Sequence, residues 1–291
     1  MTAAICAELR TLMTVRYRYS SLEDFLVTNP ATVDGTLDDG WGATFPVKGR
    51  EINASILFAD IPWFTERTAE LSATETLAYV NTFFAWISAE ALRERPCIVD
   101  KYIGDEIMVV FSTEFGADDP FGEALDAARW MGEHDVLDFQ PQIGIASGPV
   151  VVGHVGTPLR YSCSVFGRAV ALAARCAKAP RSPAGQFWTS RMAFPSAEWG
   201  DRKFTEQFYP KKYKRTDGTE QEQEVLWSMQ PPREVELKGI GTLEITEVGN
   251  PMRRLNSFST EDRAREGVRA LQNAGRYWPE SPVAGIRRRS L

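Results

Sequence analysis

CIVDKYIGDEIMVVF, residues 97–111, reads as two short strands, Cys97–Tyr102 and Glu106–Phe111, joined at Ile103-Gly104-Asp105. A glycine in a connection this short is the signature of a β-hairpin. Upstream, NASILFA (53–59) is an apolar run of strand length that ends on Asp60. Between the two, Leu71 to Leu92 places Leu77, Val80, Phe84, Ile87 and Leu92 at three- to five-residue spacing, one face of a long helix. Downstream, Pro120 to Glu133 predicts a helix whose entry carries Asp118 and Asp119. Gln142–Ala146 and Val150–Val155 predict strands separated by Ser147-Gly148-Pro149, and Gly167–Lys178 predicts an Ala-rich helix. Hairpin-paired strands with long helices between them predict an α/β (α+β) chain, a ferredoxin-like sandwich.

Farther out the pattern weakens. Residues 1–49 alternate short helical patches with Gly- and Asp-rich stretches and read as an N-terminal extension. The polar segment of about 206–233 holds a Thr216-Asp217-Gly218-Thr219 turn between strands and reads as a projecting hairpin arm. Glu234–Val248 returns to strand alternation, and Thr260 to Ala274 predicts a helix capped by Thr260. From Met252 onward nine Arg stand against four acidic residues, so the tail is +5 within a chain of −6. An acidic body argues against broad nucleic-acid binding, which needs clustered positive charge. The basic tail, ending in Arg287, Arg288 and Arg289, reads as a solvated segment ahead of a contact with nucleic acid or an acidic partner.

At 291 residues, 43% hydrophobic and 25% charged, the composition excludes a disordered or collagen-like chain. Eighteen consecutive apolar residues occur nowhere, and Glu8 and Arg10 interrupt any leader-like run, so a cytoplasmic location is expected. Cys6, Cys97, Cys163 and Cys176 are widely spaced and accompanied by only two His, which argues against zinc and for buried thiols.

Asp60 ends a buried strand and Asp105 sits in a hairpin turn. Taken singly, each reads as a helix cap or a turn support. Together, both stand at a sheet rim, where paired carboxylates suit magnesium or manganese shared with substrate phosphates. The stretch Asp60-Ile61-Pro62-Trp63-Phe64-Thr65 lies between strand and helix, where backbone N–H groups and the Thr65 hydroxyl suit an anion. No G-x-x-x-x-G-K-[ST] loop occurs, which removes a P-loop NTPase.

FADIPWFT (58–65), KYIGDEIMVVF (101–111), IGIASGPVVVGHVG (143–156), FGRAVALAAR (166–175) and LKGIG (237–241) together resemble, in order and spacing, the catalytic domain of class III nucleotidyl cyclases. The resemblance implies a cyclase domain over 50–250, interrupted by the arm, with 1–49 and the tail 251–291 as extensions. It implies two metal ions per site, Mn2+ or Mg2+, on Asp60 and Asp105 with the Ile61 carbonyl. Phe64 and Thr65 match the phosphate turn, Lys101 the lysine that contacts the base, Arg175 the arginine that stabilises the transition state, and Lys238 a triphosphate contact. It also implies a head-to-tail homodimer in which each site takes its aspartates from one protomer and its arginine from the other.

Two positions depart from the adenylate cyclase pattern: Ser164 stands where a purine-selecting aspartate is usual, and Ala171 where an asparagine orients the ribose. Serine cannot place a negative acceptor against adenine's amine. The altered pattern is similar to the pyrimidine cyclases of bacterial anti-phage (Pycsar) systems, which act through a separate effector. It implies UTP ahead of CTP as substrate and a product used in defence, with Lys101 and Ser164 at the base edge. The alternatives are an adenylate or guanylate cyclase with an atypical base pocket and an inactive nucleotide-binding module. Diguanylate cyclases, built on the same fold, carry a G-G-[DE]-E-F type hairpin that Ile103-Gly104-Asp105-Glu106-Ile107 does not reproduce. Trp63 and Tyr161 are expected to pack in the core ahead of stacking on a base, and His154 is given no role.

Overall fold

The computed structural model describes residues 18–135, 137–157, 160–183, 185, 190–204, 208–214, 220–250 and 260–275. The expected turn at 216–219 and the Arg287–Arg289 cluster lie outside the described residues.

The element order is α1 (Leu22–Thr28), β1 (Val33–Asp38), β2 (Thr44–Asp60), α2 (Phe64–Thr68), α3 (Ala73–Trp86), β3 (Cys97–Ile103), β4 (Glu106–Phe111), α4 (Pro120–Glu133), β5 (Gln142–Thr157), β6 (Arg160–Phe166), α5 (Arg168–Ala177), β7 (Arg191–Pro195), β8 (Phe208–Lys214), β9 (Glu220–Leu226), β10 (Ser228–Met229), β11 (Arg233–Leu237), β12 (Gly241–Gly249) and α6 (Thr260–Asn273). The main sheet runs β10-β12-β7-β5-β2-β4-β3, with β1 on β2, β6 on β5 and β11 on β12. Its centre, β5-β2-β4-β3, is antiparallel throughout, with α3 between β2 and β3 and α4 between β4 and β5. That is the βαββαβ ferredoxin-like unit the sequence predicts. After α5 the chain adds β7 parallel to β5.

Helices cover both faces. On one, Tyr79, Phe83 and Trp86 of α3, Phe121, Leu125 and Met131 of α4, and Ala264 and Val268 of α6 pack on Leu57, Ala59 and Val109. On the other, α1 and α5 pack on Ile56, Phe58, Met108 and Val110. The alternation of side chains along β2 and β4 dictates this division. A capping box starts α3: Ser72 Oγ accepts from Glu75 N–H while the Glu75 carboxylate accepts from Ser72 N–H. A π-helical turn, Ile87–Ala91, ends it inside the expected span.

Two expectations change. The strand expected at 53–59 extends back to Thr44, so β2 runs across the boundary placed at residue 49 and the N-terminal segment adds β1 and α1 to the fold. The two strands expected on either side of Ser147-Gly148-Pro149 are one strand, β5, because β2 pairs with it continuously from Gly49↔Gly153 to Asp60↔Gln142. The strand alternation expected over 234–248 is the hairpin β11–β12, turning at Lys238-Gly239-Ile240 with Gly239 at φ +77. The arm is a two-stranded sheet, β8–β9.

Candidate active site

β2 delivers Asp60 to the rim of the sheet, and the β3–β4 hairpin delivers Asp105 beside it. Gly104, at φ +64, takes the first position of that two-residue turn, which an L side chain would strain. Ile61 N–H donates to the Asp105 carboxylate, tying the hairpin to the end of β2. Asp60 lies across from Glu106 in the β2–β4 register and from Gln142 in β5, which in turn pairs with Arg191 at the start of β7. The expected carboxylate pair is therefore brought together, on the sheet face that α5 covers.

The setting is acidic and half-buried. Burial, then Glu106, then Asp105 push the Asp60 carboxyl up to about 7, against Lys178 and Arg191, which lower it. Burial likewise raises Asp105 and Glu106. Lys178 Nζ, just past α5, donates to Glu106 Oε2 at 3.2 Å. Asp60 Oδ1 is buried and has no hydrogen-bond partner among the described residues. Among the described residues no three Asp, Glu, His or Cys side chains are grouped so as to hold a metal ion by themselves. A carboxylate pair with one oxygen unsatisfied fits a divalent cation that takes its other ligands from substrate and water.

Behind the pair lies a buried charge network the sequence reading missed. Arg191 and Glu247 are ion-paired with both side chains inaccessible, Arg233 Nη2 reaches Glu247 Oε2 at 3.2 Å, and Ser182 N–H donates to the same oxygen at 2.8 Å. Burial raises the Glu247 carboxyl, but Arg191 and Ser182 outweigh it and the net shift is downward.

The remaining expected residues are placed as follows. Phe64 opens the short α2 and is half-buried against the core, with Thr65 exposed beside it. Trp63, just before them, holds φ +55 and is 46% exposed, with the Arg181 guanidinium 5.0 Å from its ring centroid. It is not the core residue expected, and neither is Tyr161, which stands exposed on β6 against His154. Arg175 and Ala171 are exposed on α5. Lys238 is exposed in the β11–β12 turn, away from Asp60: Gly249, not Gly241, pairs with Arg191, so the other end of β12 lies about 27 Å along the strand.

Lys101 and Ser164 meet, though not as two open side chains. Ser164 is fully buried and donates through Oγ to Asp100 Oδ2 at 2.8 Å; Lys101 Nζ lies 3.4 Å from the same oxygen and is 39% exposed. Burial raises the Asp100 carboxyl, opposed by Ser164 and Lys101. Asp100 was legible only as a strand residue. The bulge that displaces it, between Val99 and Lys101 in the β3–β4 register, leaves no sequence signal of its own.

Residues 47–183 match the adenylate and guanylate cyclase catalytic domain family, a span that contains Asp60, Lys101, Asp105, Ser164 and Arg175 but not Lys238. The chain is 31% identical over 140 residues to the uncharacterized protein Rv1319c of Mycobacterium tuberculosis, covering 47% of this chain and 26% of that one. It is 29% identical over 157 residues to Rv1318c of the same organism, 53% and 29% of the two chains. The match thus spans between a quarter and a third of these curated relatives. Among solved structures, the adenylyl cyclase CyaB from P. aeruginosa superposes with a TM-score of 0.52 at 22% identity, over 72% of this chain and 99% of that one. A bacterial light-regulated adenylyl cyclase gives 0.52 at 19% identity, over 92% and 67%. Both share the fold.

Proposed function

We propose that this chain, which carries a nucleotidyl cyclase catalytic domain, converts a pyrimidine nucleoside triphosphate, UTP ahead of CTP, to its 3′,5′-cyclic monophosphate and pyrophosphate. One observation carries the cyclase reading: the unpartnered, buried Asp60 Oδ1 beside Asp105 at the sheet rim. Asp60, Asp105 and the Ile61 carbonyl would hold two divalent ions, Mg2+ or Mn2+, which when bound would acidify the ribose 3′-hydroxyl and offset phosphate charge.

The reaction is intramolecular: the 3′-oxygen attacks the α-phosphorus in line and pyrophosphate departs. Phe64 and Thr65 border the turn assigned to the triphosphate. Arg175, exposed on α5, offers a guanidinium fork to charge on the α-phosphoryl oxygens. Asp60 and Lys238 stand at opposite ends of the sheet, which supports a homodimer whose two sites each draw residues from both protomers. The pyrimidine reading rests on Ser164 and Ala171, which remove the acceptor and the amide of the purine pattern, and on Lys101, which donates to a uracil carbonyl. We read the cyclic nucleotide as a second messenger for a separate effector in anti-phage defence, as the resemblance to Pycsar cyclases implies.

Incubation of the purified protein with manganese and each of the four ribonucleoside triphosphates, followed by product mass, tests this. Cyclic UMP as the main product is expected. Mainly cyclic AMP or GMP overturns the pyrimidine reading, and no pyrophosphate from any nucleotide leaves an inactive binding module.

A further inference from the structure

We propose that Asp100 and Ser164 act as a buried positioning pair that aims the Lys101 ammonium, so that the base site presents donors and no open acceptor, and selects the carbonyl edge of uracil over the amine edge of cytosine. The inference rests on the reading of Lys101 as the base contact and names what that contact selects.

Three observations carry it. Ser164 is fully buried, and its only proton goes to Asp100 Oδ2, so its hydroxyl is neither open to a base nor a free donor. The Asp100 side chain is 1% exposed, its Oδ1 has no hydrogen-bond partner among the described residues, and its Oδ2 meets Ser164 and Lys101. A buried carboxylate is costly unless it is paired. Here that cost is set against holding one ammonium at 3.4 Å while 39% of its side chain stays exposed. Asp100 sits at a bulge of β3, between Val99 and Lys101 in the β3–β4 register, and its carboxylate meets Ser164 of β6. A lysine ammonium has three donors and no acceptor. With one turned to Asp100, two remain for a ligand. A base carbonyl such as uracil O4 accepts from them, whereas the N4 amine of cytosine offers only donors in the same place.

The test is a set of variants read as the UTP-over-CTP ratio, both in kcat/KM and in equilibrium binding by calorimetry, which needs no turnover. Asp100→Asn is expected to lower the ratio roughly tenfold, mainly through KM for UTP, the scale of a lost hydrogen bond to a charged group. Ser164→Ala is expected to lower it in the same direction, Ser164→Thr to restore it, and the double variant to be no worse than Asp100→Asn alone. If Lys101→Ala shifts the ratio while Asp100→Asn and Ser164→Ala do not, the positioning role is overturned and the Lys101 reading stands. If Lys101→Ala leaves the ratio unchanged, the base-site reading fails and takes this inference with it. A wild-type protein that prefers CTP or ATP overturns the donor-only site outright. Should Asp100→Asn not fold, the Ser164→Ala and Ser164→Thr pair decides.

Discussion

Asp60 is the residue on which the chemistry turns, because one oxygen of its carboxylate is buried and two further carboxylates, Glu106 and Asp105, stand beside it. Asp60→Asn and Asp105→Asn are each expected to lower cyclisation by about three to four orders of magnitude, the scale of losing a group that stabilises transition-state charge. Circular dichroism should show the fold intact. Millimolar Mn2+ should raise the melting temperature of the wild type and not of Asp60→Asn, since binding to the native state alone stabilises it. Glu247 gives a pH prediction away from the metal ligands. Its carboxyl is lowered in the folded protein, so its contribution is present above the unfolded value near 4.5 and is lost as pH falls toward the folded value. Glu247→Gln should cost about 3–5 kcal/mol at pH 7, the scale of breaking a buried pair. The gap from wild type should shrink below pH 4 in denaturant titrations, and a gap constant from pH 7 to 3 would rule this out.

At the scale of elements, the approach of α5 to β5 decides where Lys178 and Arg175 stand. Gly144 makes that approach possible: a Cβ there would run into the Ala173 carbonyl and the Ala177 N–H. Backbone cannot step aside as a side-chain tip can, so Gly144→Ala should cost about 1–3 kcal/mol, the range of overpacked interiors. Activity should fall with it, because the end of α5 would lift away from Glu106. Urea denaturation beside a rate assay checks both, and an unperturbed variant would show that α5 has slack. The hairpin that carries Asp105 was legible at this scale because a glycine in a two-residue turn is a local signal. The continuity of β5 was not, because Gly148 and Pro149 read locally as a break and only pairing with β2 carries the strand through them.

For the whole molecule, the sheet separates Asp60 from Lys238, and the proposed dimer makes that separation functional. Mixing inactive Asp60→Asn protomers with inactive Arg175→Ala protomers should restore activity. With random exchange, half the dimers are mixed and each holds one intact site of two, so roughly a quarter of wild-type activity is expected. No recovery after exchange, with mixed dimers verified by mass, would mean that each site is built within one chain. Among the described residues no helix is long and apolar enough to cross a membrane.

Sequence alone determined the order of strands and helices through the ferredoxin-like core and put acidic side chains at a strand end and a hairpin turn. Apolar periodicity and turn glycines are local, and they act before any long-range contact forms. Tertiary structure alone decided what surrounds those carboxylates. Glu106 faces Asp60 only through the β2–β4 register, Lys178 arrives only because α5 packs on Gly144, and Arg191 meets Glu247 only across β7 and β12. The same holds for Asp100, which sits at a bulge and meets a serine 64 residues away. Register and bulges are settled by the pairing of distant segments, and the free energy of that pairing is not written in either segment by itself.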